Sequence, residues 1–104
     1  MRVLPAILTN DPVDLERKIR QAESFSDWAQ IDIMDGKFVP SRSISASHLA
    51  SVKTRLNMEV HLMVEEPEAH MEGFARAGVK RVVFHYEATS APDQVVKEAR
   101  KLGL

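Results

Sequence analysis

Asp32 and His61 are the residues whose setting calls for a chemical explanation. Asp32 lies in Gln30-Ile31-Asp32-Ile33-Met34-Asp35-Gly36-Lys37-Phe38-Val39-Pro40, an otherwise apolar run that reads as a buried strand. An ionised carboxylate in such a place costs several kcal/mol unless a partner compensates it. Side chains alternate along a strand, so Gln30, Asp32 and Met34 share one face and Ile31 and Ile33 the other. Met58-Glu59-Val60-His61-Leu62-Met63-Val64 repeats the pattern, with Glu59, His61 and Met63 opposite Val60, Leu62 and Val64. If both strands belong to one parallel sheet, Asp32 and His61 face the same interior. A carboxylate and an imidazole suit either a divalent transition metal or an acid and base paired at neutral pH. A metal site wants at least three protein ligands, and these are two.

Around this pair the sequence sets further polar groups. Met34-Asp35-Gly36 is a turn signal, with Asp35 capping its own backbone and Gly36 allowing a positive φ. The loop from Met34 to about Ile44 carries Lys37 and Arg42, candidates for holding an anionic substrate. His85 ends a fourth strand, where it serves either the rim of a site or the core. Met34 and Met63 read as packing residues. His48 and His70 fall in helices and read as surface residues.

The elements that must position these groups follow from periodicity and caps. Arg2 to Leu8 is a first strand. Asp11 caps a helix with Pro12 at its first position and Val13, Leu15, Ile19 and Ala22 on its buried stripe. Trp28 to Ile33 is the second strand. A helix capped by Ser45 or Ser47 runs to about Arg55 and is closed by Asn57. After the third strand, Glu66-Pro67-Glu68 opens a helix that buries Ala69, Met71, Phe74 and Ala75 and ends at Gly78. A fourth strand runs from Val82 to His85 or Tyr86. A last helix begins near Ala91-Pro92-Asp93, buries Val95, Val96 and Ala99, and stops at Gly103. Four strand-helix units in series give an α/β fold with a parallel sheet, whose strand C-termini gather on one edge. Ligands bind at that edge in such folds.

Composition narrows the partners. Of 104 residues, 44% are apolar and 28% charged, as in a single globular domain over residues 1–104. Fourteen basic residues against fifteen acidic ones, with no basic block, point to neither nucleic acid nor an anionic membrane. There is no cysteine, hence no disulfide and no thiolate chemistry. No run approaches the roughly 20 apolar residues of a membrane helix, and the N-terminus is too short in apolar residues for a signal peptide. The expectation is a soluble, cytoplasmic protein.

Ile31-Asp-Ile-Met-Asp-Gly-Lys-Phe-Val-Pro40, Val60-His-Leu-Met-Val64 followed by Glu66-Pro67, and Phe84-His-Tyr-Glu-Ala88 resemble the second-, third- and fourth-strand motifs of the ribulose-phosphate 3-epimerase family, in order and at the right spacing. Pro5-Ala-Ile-Leu8 with Asp11 resembles its first-strand motif. The resemblance implies the N-terminal half of a TIM-type (β/α)8 barrel of the ribulose-phosphate-binding kind. It also implies metal-assisted epimerisation of a pentulose 5-phosphate beside its ketone, with two aspartates relaying protons and zinc or iron held by two histidines and those aspartates. By that resemblance Asp32 is catalytic and a metal ligand, His61 is a metal ligand, and Met34 and Met63 crowd the substrate, with Lys37 and His85 also on it. Gln30 stands where the family has a histidine and Ala6 where it has a serine. The second aspartate belongs to later strands.

Four units leave two sheet edges and an inner face open. A second copy of the chain, making a dimer, or a C-terminal half would close them, or the sheet flattens and is covered by rearranged helices. Two functional readings follow: a sugar-phosphate epimerase complete only with that partner, or a non-catalytic half-barrel that binds phosphosugars.

Overall fold

The computed structural model describes residues 4–104. Its strands are β1 (Ala6–Ile7), β2 (Trp28–Met34), β3 (Asn57–Met63) and β4 (Arg81–Phe84), and its helices are α1 (Pro12–Glu23), α2 (Ala46–Ala50), α3 (Met71–Arg76) and α4 (Pro92–Lys101). The strands form one parallel sheet in the order β1-β2-β3-β4, the arrangement that three successive right-handed crossovers produce. The α/β expectation holds, and the architecture is that of a partial (β/α) barrel.

Each helix lays its apolar stripe on the same side of the sheet. Ile7, Ile31, Ile33, Val60 and Leu62 are buried there against Leu15 and Ile19 of α1, Leu49 of α2, Phe74 of α3 and Val95 of α4. Among the described residues no helix covers the opposite face: Val83 is 41% exposed and Ala6 is exposed. That uncovered face carries Gln30, Asp32, Glu59 and His61. The sheet thus hides its apolar half and presents its polar half. Among the described residues no helix is long and apolar enough to cross a membrane.

Caps follow the sequence closely. Asp11 accepts the Val13 N–H at 3.0 Å, and Pro12 needs no donor at the first turn. Gly78 and Gly103 take positive φ of 89° and 83° just past α3 and α4. Val13, by contrast, is solvent-exposed on α1, and Val96 is exposed on α4; Leu15, Ile19, Ala22, Val95 and Ala99 complete the stripes without them.

Other expectations are corrected. The strand expected over Arg2 to Leu8 is regular at Ala6–Ile7 only, with residues 2 and 3 outside the described residues. Its ladder is prolonged by the Pro5 carbonyl, which accepts the Gln30 N–H at 2.8 Å. Helix α2 stops at Ala50 instead of Arg55, and Asn57 opens β3 instead of closing a helix. β-branched Val52 and Thr54 weaken helical propensity there. The Thr54 hydroxyl donates to Glu23, and Arg55 donates to the Glu23 carbonyl and to Asp27, tying this stretch to the end of α1. The helix expected from Glu66 is two pieces, a 3₁₀ turn at Pro67–Ala69 and then α3. Glu66, at φ 51°, turns the chain before it. β4 ends at Phe84, and Tyr86 lies in a 3₁₀ turn, Tyr86–Ala88.

Candidate functional site

Parallel register sorts the uncovered face into rows. Gln30 pairs with Glu59 and Glu59 with Arg81; one repeat further along, Asp32 pairs with His61 and His61 with Val83; Met34 pairs with Met63 at the strand C-termini. Because the strands run the same way, each row lies at one depth of the site.

The lowest row is a floor. Glu59 is buried at 8% exposure, and its carboxylate accepts from the Gln30 amide at 3.0 Å and from Arg81 Nε at 3.1 Å. The Arg81 guanidinium lies 4.2 Å above the centre of the Trp28 ring, a cation–π contact. A buried carboxylate is tolerated when charged and neutral donors fill its lone pairs, and these do. The sequence reading set Glu59 on this face without giving it a role. Only the 29-residue separation between register partners, closed by the sheet, reveals it.

The middle row holds the chemistry. His61 Nδ1 lies 3.2 Å from Asp32 Oδ1, so the ring N–H donates to the carboxylate and Nε2 is left as the outward nitrogen. That Nε2 lies 2.9 Å from Nε2 of His85, which follows the end of β4. The rings are 5.0 Å apart between centroids, and the Phe38 ring stands 5.3 Å from that of His85. His85 Nδ1 has the Glu87 carboxylate at 3.8 Å. Asp32, His61, His85 and Glu87 therefore form one chain of groups across three strands.

A loop fixes the rim above. Asp35 accepts the N–H groups of Lys37 at 2.8 Å and Phe38 at 3.0 Å through one oxygen, and that of Glu65 at 2.9 Å through the other. The turn expected at Asp35 is present, and it also ties the β2 loop to the β3 loop. Burial pushes the Asp35 carboxyl up, but the three backbone donors outweigh it and hold the group below the usual carboxylate value. Gly36 has φ 78°, and a Cβ there would meet the Arg42 side chain at 3.0 Å. Lys37 and Arg42 line a cavity of about 760 Å³ between this loop, α2 and α3, together with Glu65 and His70. Asp32 and His61 are not part of that cavity, so the loop cations and the reactive pair are separate in this conformation. His48 and His70 are half-buried and not free surface groups: His48 Nδ1 accepts the Ser45 N–H, and His70 lies on the cavity.

The metal implied by the resemblance can be tested against these donors. Gln30 spends its amide N–H on Glu59, Ala6 brings no polar atom, and Asp32 directs Oδ1 at the His61 ring. Among the described residues no three His, Cys, Asp or Glu side chains gather as a ligand set. The family's metal position does not fit the donors present here.

Comparison with known proteins agrees with the fold. The profile described as "Ribulose-phosphate 3 epimerase family" matches residues 2–104. A ribulose-phosphate 3-epimerase of Schizosaccharomyces pombe is 32% identical over 109 residues, covering 99% of this chain and 48% of its own length. One from Synechocystis sp. is 35% identical, covering 97% and 46% respectively. One from Mycobacterium tuberculosis is 35% identical, covering 97% and 44%. The chain spans about half the length of the curated relatives it matches.

Proposed function

The chain belongs to the ribulose-phosphate 3-epimerase family, and from that membership we propose that it supplies one acid–base half of a cytoplasmic sugar-phosphate epimerase acting beside the ketone of a pentulose 5-phosphate. The observation that carries the reading is the pairing of Asp32 with His61 on the uncovered face, 3.2 Å apart, between a floor of hydrogen-bonded polar groups and a rim of two methionines. Asp32 is the base for the carbon-bound proton. His61, donating through Nδ1, orients the carboxylate and stabilises its charge. Met34 and Met63 pack against the sugar carbons, His85 bounds the substrate on the β4 side, and Lys37 on the rim loop is the cation offered to the phosphate.

Inversion needs an acid on each face of the reacting carbon, and Asp32 serves one. The second must come with whatever closes the open face, whether a second copy of the chain or further strands. One base is nevertheless enough to exchange the carbon-bound hydrogen with solvent. Ribulose 5-phosphate incubated with the full chain in D2O, followed by proton NMR, separates the cases. Loss of the C3 proton signal without formation of xylulose 5-phosphate is the expected result, abolished by Asp32→Asn. Exchange with inversion would mean that the chain closes its own site. Absence of exchange, with binding retained, would favour the second reading, a phosphosugar-binding half-barrel without catalysis. That reading is supported by the commitment of Gln30 to Glu59 and by Ala6 in place of a hydroxyl.

A further inference from the structure

The cavity of about 760 Å³ beside the rim loop is built from the end of β2, the segment after β3, α2 and α3. Unlike the open face, it lies between elements that are all present in this chain. Its size falls within the range of about 300–1,000 Å³ usual for small-molecule sites. Ile33, Ile44, Val64 and Phe74, all buried, give it an apolar floor. Space remains above them because the helices offer small residues there: Ala46 and Gly73 line the cavity, and a Cβ on Gly73 would already meet that of Ala46 at 3.4 Å. Charges of both signs stand around this floor. Lys37 and Arg42 come from the loop after β2, Glu65 and Glu66 from the turn after β3. Among the described residues none of these four side chains has a hydrogen bond or an ion pair.

Arg42 is the most firmly placed of the four. Its backbone bridges to Asp35, and a Cβ on Gly36 would stand 3.0 Å from both its Cγ and its Nε, so the missing side chain lets the arginine lie along the turn. Asp35, across that bridge, is not its partner, because its carboxylate accepts the N–H groups of Lys37, Phe38 and Glu65. Opposite charges that line one space unpaired, over an apolar floor, call for a ligand that carries both charges on an apolar body. We propose that this cavity binds an α-amino acid with an aliphatic or aromatic side chain. Its carboxylate meets Arg42, its ammonium lies between Glu65 and Glu66, and its side chain rests on Ile33, Ile44, Val64 and Phe74. A guanidinium fork matches a carboxylate through two parallel hydrogen bonds. A sugar phosphate fits less well, since the two carboxylates repel a dianion and the floor leaves its hydroxyls without partners. Lys37 also stands on the rim loop, and the site does not depend on it.

The inference is independent of the epimerase reading, and its test contains no sugar. The full chain, with carbon-13 in its isoleucine and valine methyl groups, is titrated at pH 7 with L-phenylalanine and separately with L-leucine, and followed by NMR. The methyls of Ile33, Ile44 and Val64 should shift and saturate, while those of Val83 on the open face stay in place. 3-Phenylpropionate, which lacks the ammonium, and 2-phenylethylamine, which lacks the carboxylate, should each bind about tenfold more weakly than phenylalanine, the loss of one hydrogen bond between charged groups. Arg42→Gln should weaken phenylalanine by about the same tenfold and leave 2-phenylethylamine unchanged. Replacing both Glu65 and Glu66 by glutamine should weaken phenylalanine and leave 3-phenylpropionate no weaker. No saturable shift with either amino acid, 3-phenylpropionate binding as tightly as phenylalanine, full phenylalanine affinity in Arg42→Gln, or shifts centred on Val83 would overturn the proposal. The altered side chains are all exposed, and if a variant nevertheless unfolds, the comparison of the three phenyl compounds on the unaltered chain decides the matter.

Discussion

Replacing Arg81 by methionine tests whether the row beneath Asp32 and His61 is a true floor. Methionine keeps much of the apolar stem and removes the guanidinium, so Glu59 is left with the Gln30 amide as its side-chain donor. Stripping one partner from a fully buried ion pair costs about 3–5 kcal/mol. Here the Arg81 side chain is 48% exposed, and water will take up part of its role. Loss of the stacking on Trp28 adds about 0.5–1 kcal/mol. A cost of about 2 kcal/mol is the balance, which for a domain of this size lowers the melting temperature by about 10–15 °C. Urea unfolding at pH 7 and fixed protein concentration should show the midpoint falling with its slope unchanged. The double variant Glu59→Gln, Arg81→Met removes the stranded charge as well and should recover about 1 kcal/mol of the loss, a coupling of the size expected for residues in contact. A single-variant cost below about 0.5 kcal/mol, or strict additivity in the double variant, would refute the reasoning, because either would mean that Glu59 is solvated and the floor carries no energy.

Three further outcomes follow from the same geometry. Asp35→Asn keeps an acceptor for the Lys37 and Phe38 N–H groups but turns an NH2 toward the Glu65 N–H, and should cost about 1–2 kcal/mol at pH 7. Since the folded carboxyl is held below its ordinary value of 3.8, its contribution is complete above that value and is lost as pH falls through the lower folded value. The difference between the two proteins should therefore be constant from pH 7 to 5 and shrink by pH 3; a gap that persists undiminished at pH 3 would contradict this. Leu62→Ala on the helix-covered face should cost about 2–5 kcal/mol, as large-to-small core changes do. Val83→Lys on the open face should cost about 0.5 kcal/mol or less in a monomer. A dimer by light scattering that Val83→Lys dissociates would show instead that a second copy covers the face.

The parts of this fold that were legible in the sequence are those set by local rules. Ile31 and Ile33 against Asp32, and Val60 and Leu62 against His61, announce a strand with one polar face by period alone. Asp11-Pro12 and the glycines at 78 and 103 mark helix ends by backbone chemistry that needs no partner. Placing Asp32 beside His61 required only that the two strands pair in parallel. What escaped was decided by residues far away in the chain. Helix α2 is short because Thr54 and Arg55 find partners on α1, and no window around residue 55 contains that information. The pairing of His61 with His85 depends on where β4 stops. Val13 looked like core because the α1 stripe was read one position too wide, although Leu15, Ile19 and Ala22 already fill it.

Gln30 shows why a single departure from a family pattern cannot be weighed by itself. Its amide is not an empty ligand position; it is the neutral donor that, with Arg81, makes a buried carboxylate tolerable at Glu59. A histidine at residue 30 could hold that carboxylate with one ring nitrogen and turn the other outward, whereas the Gln30 amide gives its N–H to Glu59 and has only a neutral oxygen besides, and Ala6 in the same row has no polar atom. The substitution is therefore coupled to the floor of the site. With β2 contributing Asp32 and no nitrogen, the imidazole of His61 is drawn toward the carboxylate by one ring nitrogen and presents the other to β4, where His85 stands. The two imidazoles of the open face therefore meet between β3 and the end of β4, above the floor row.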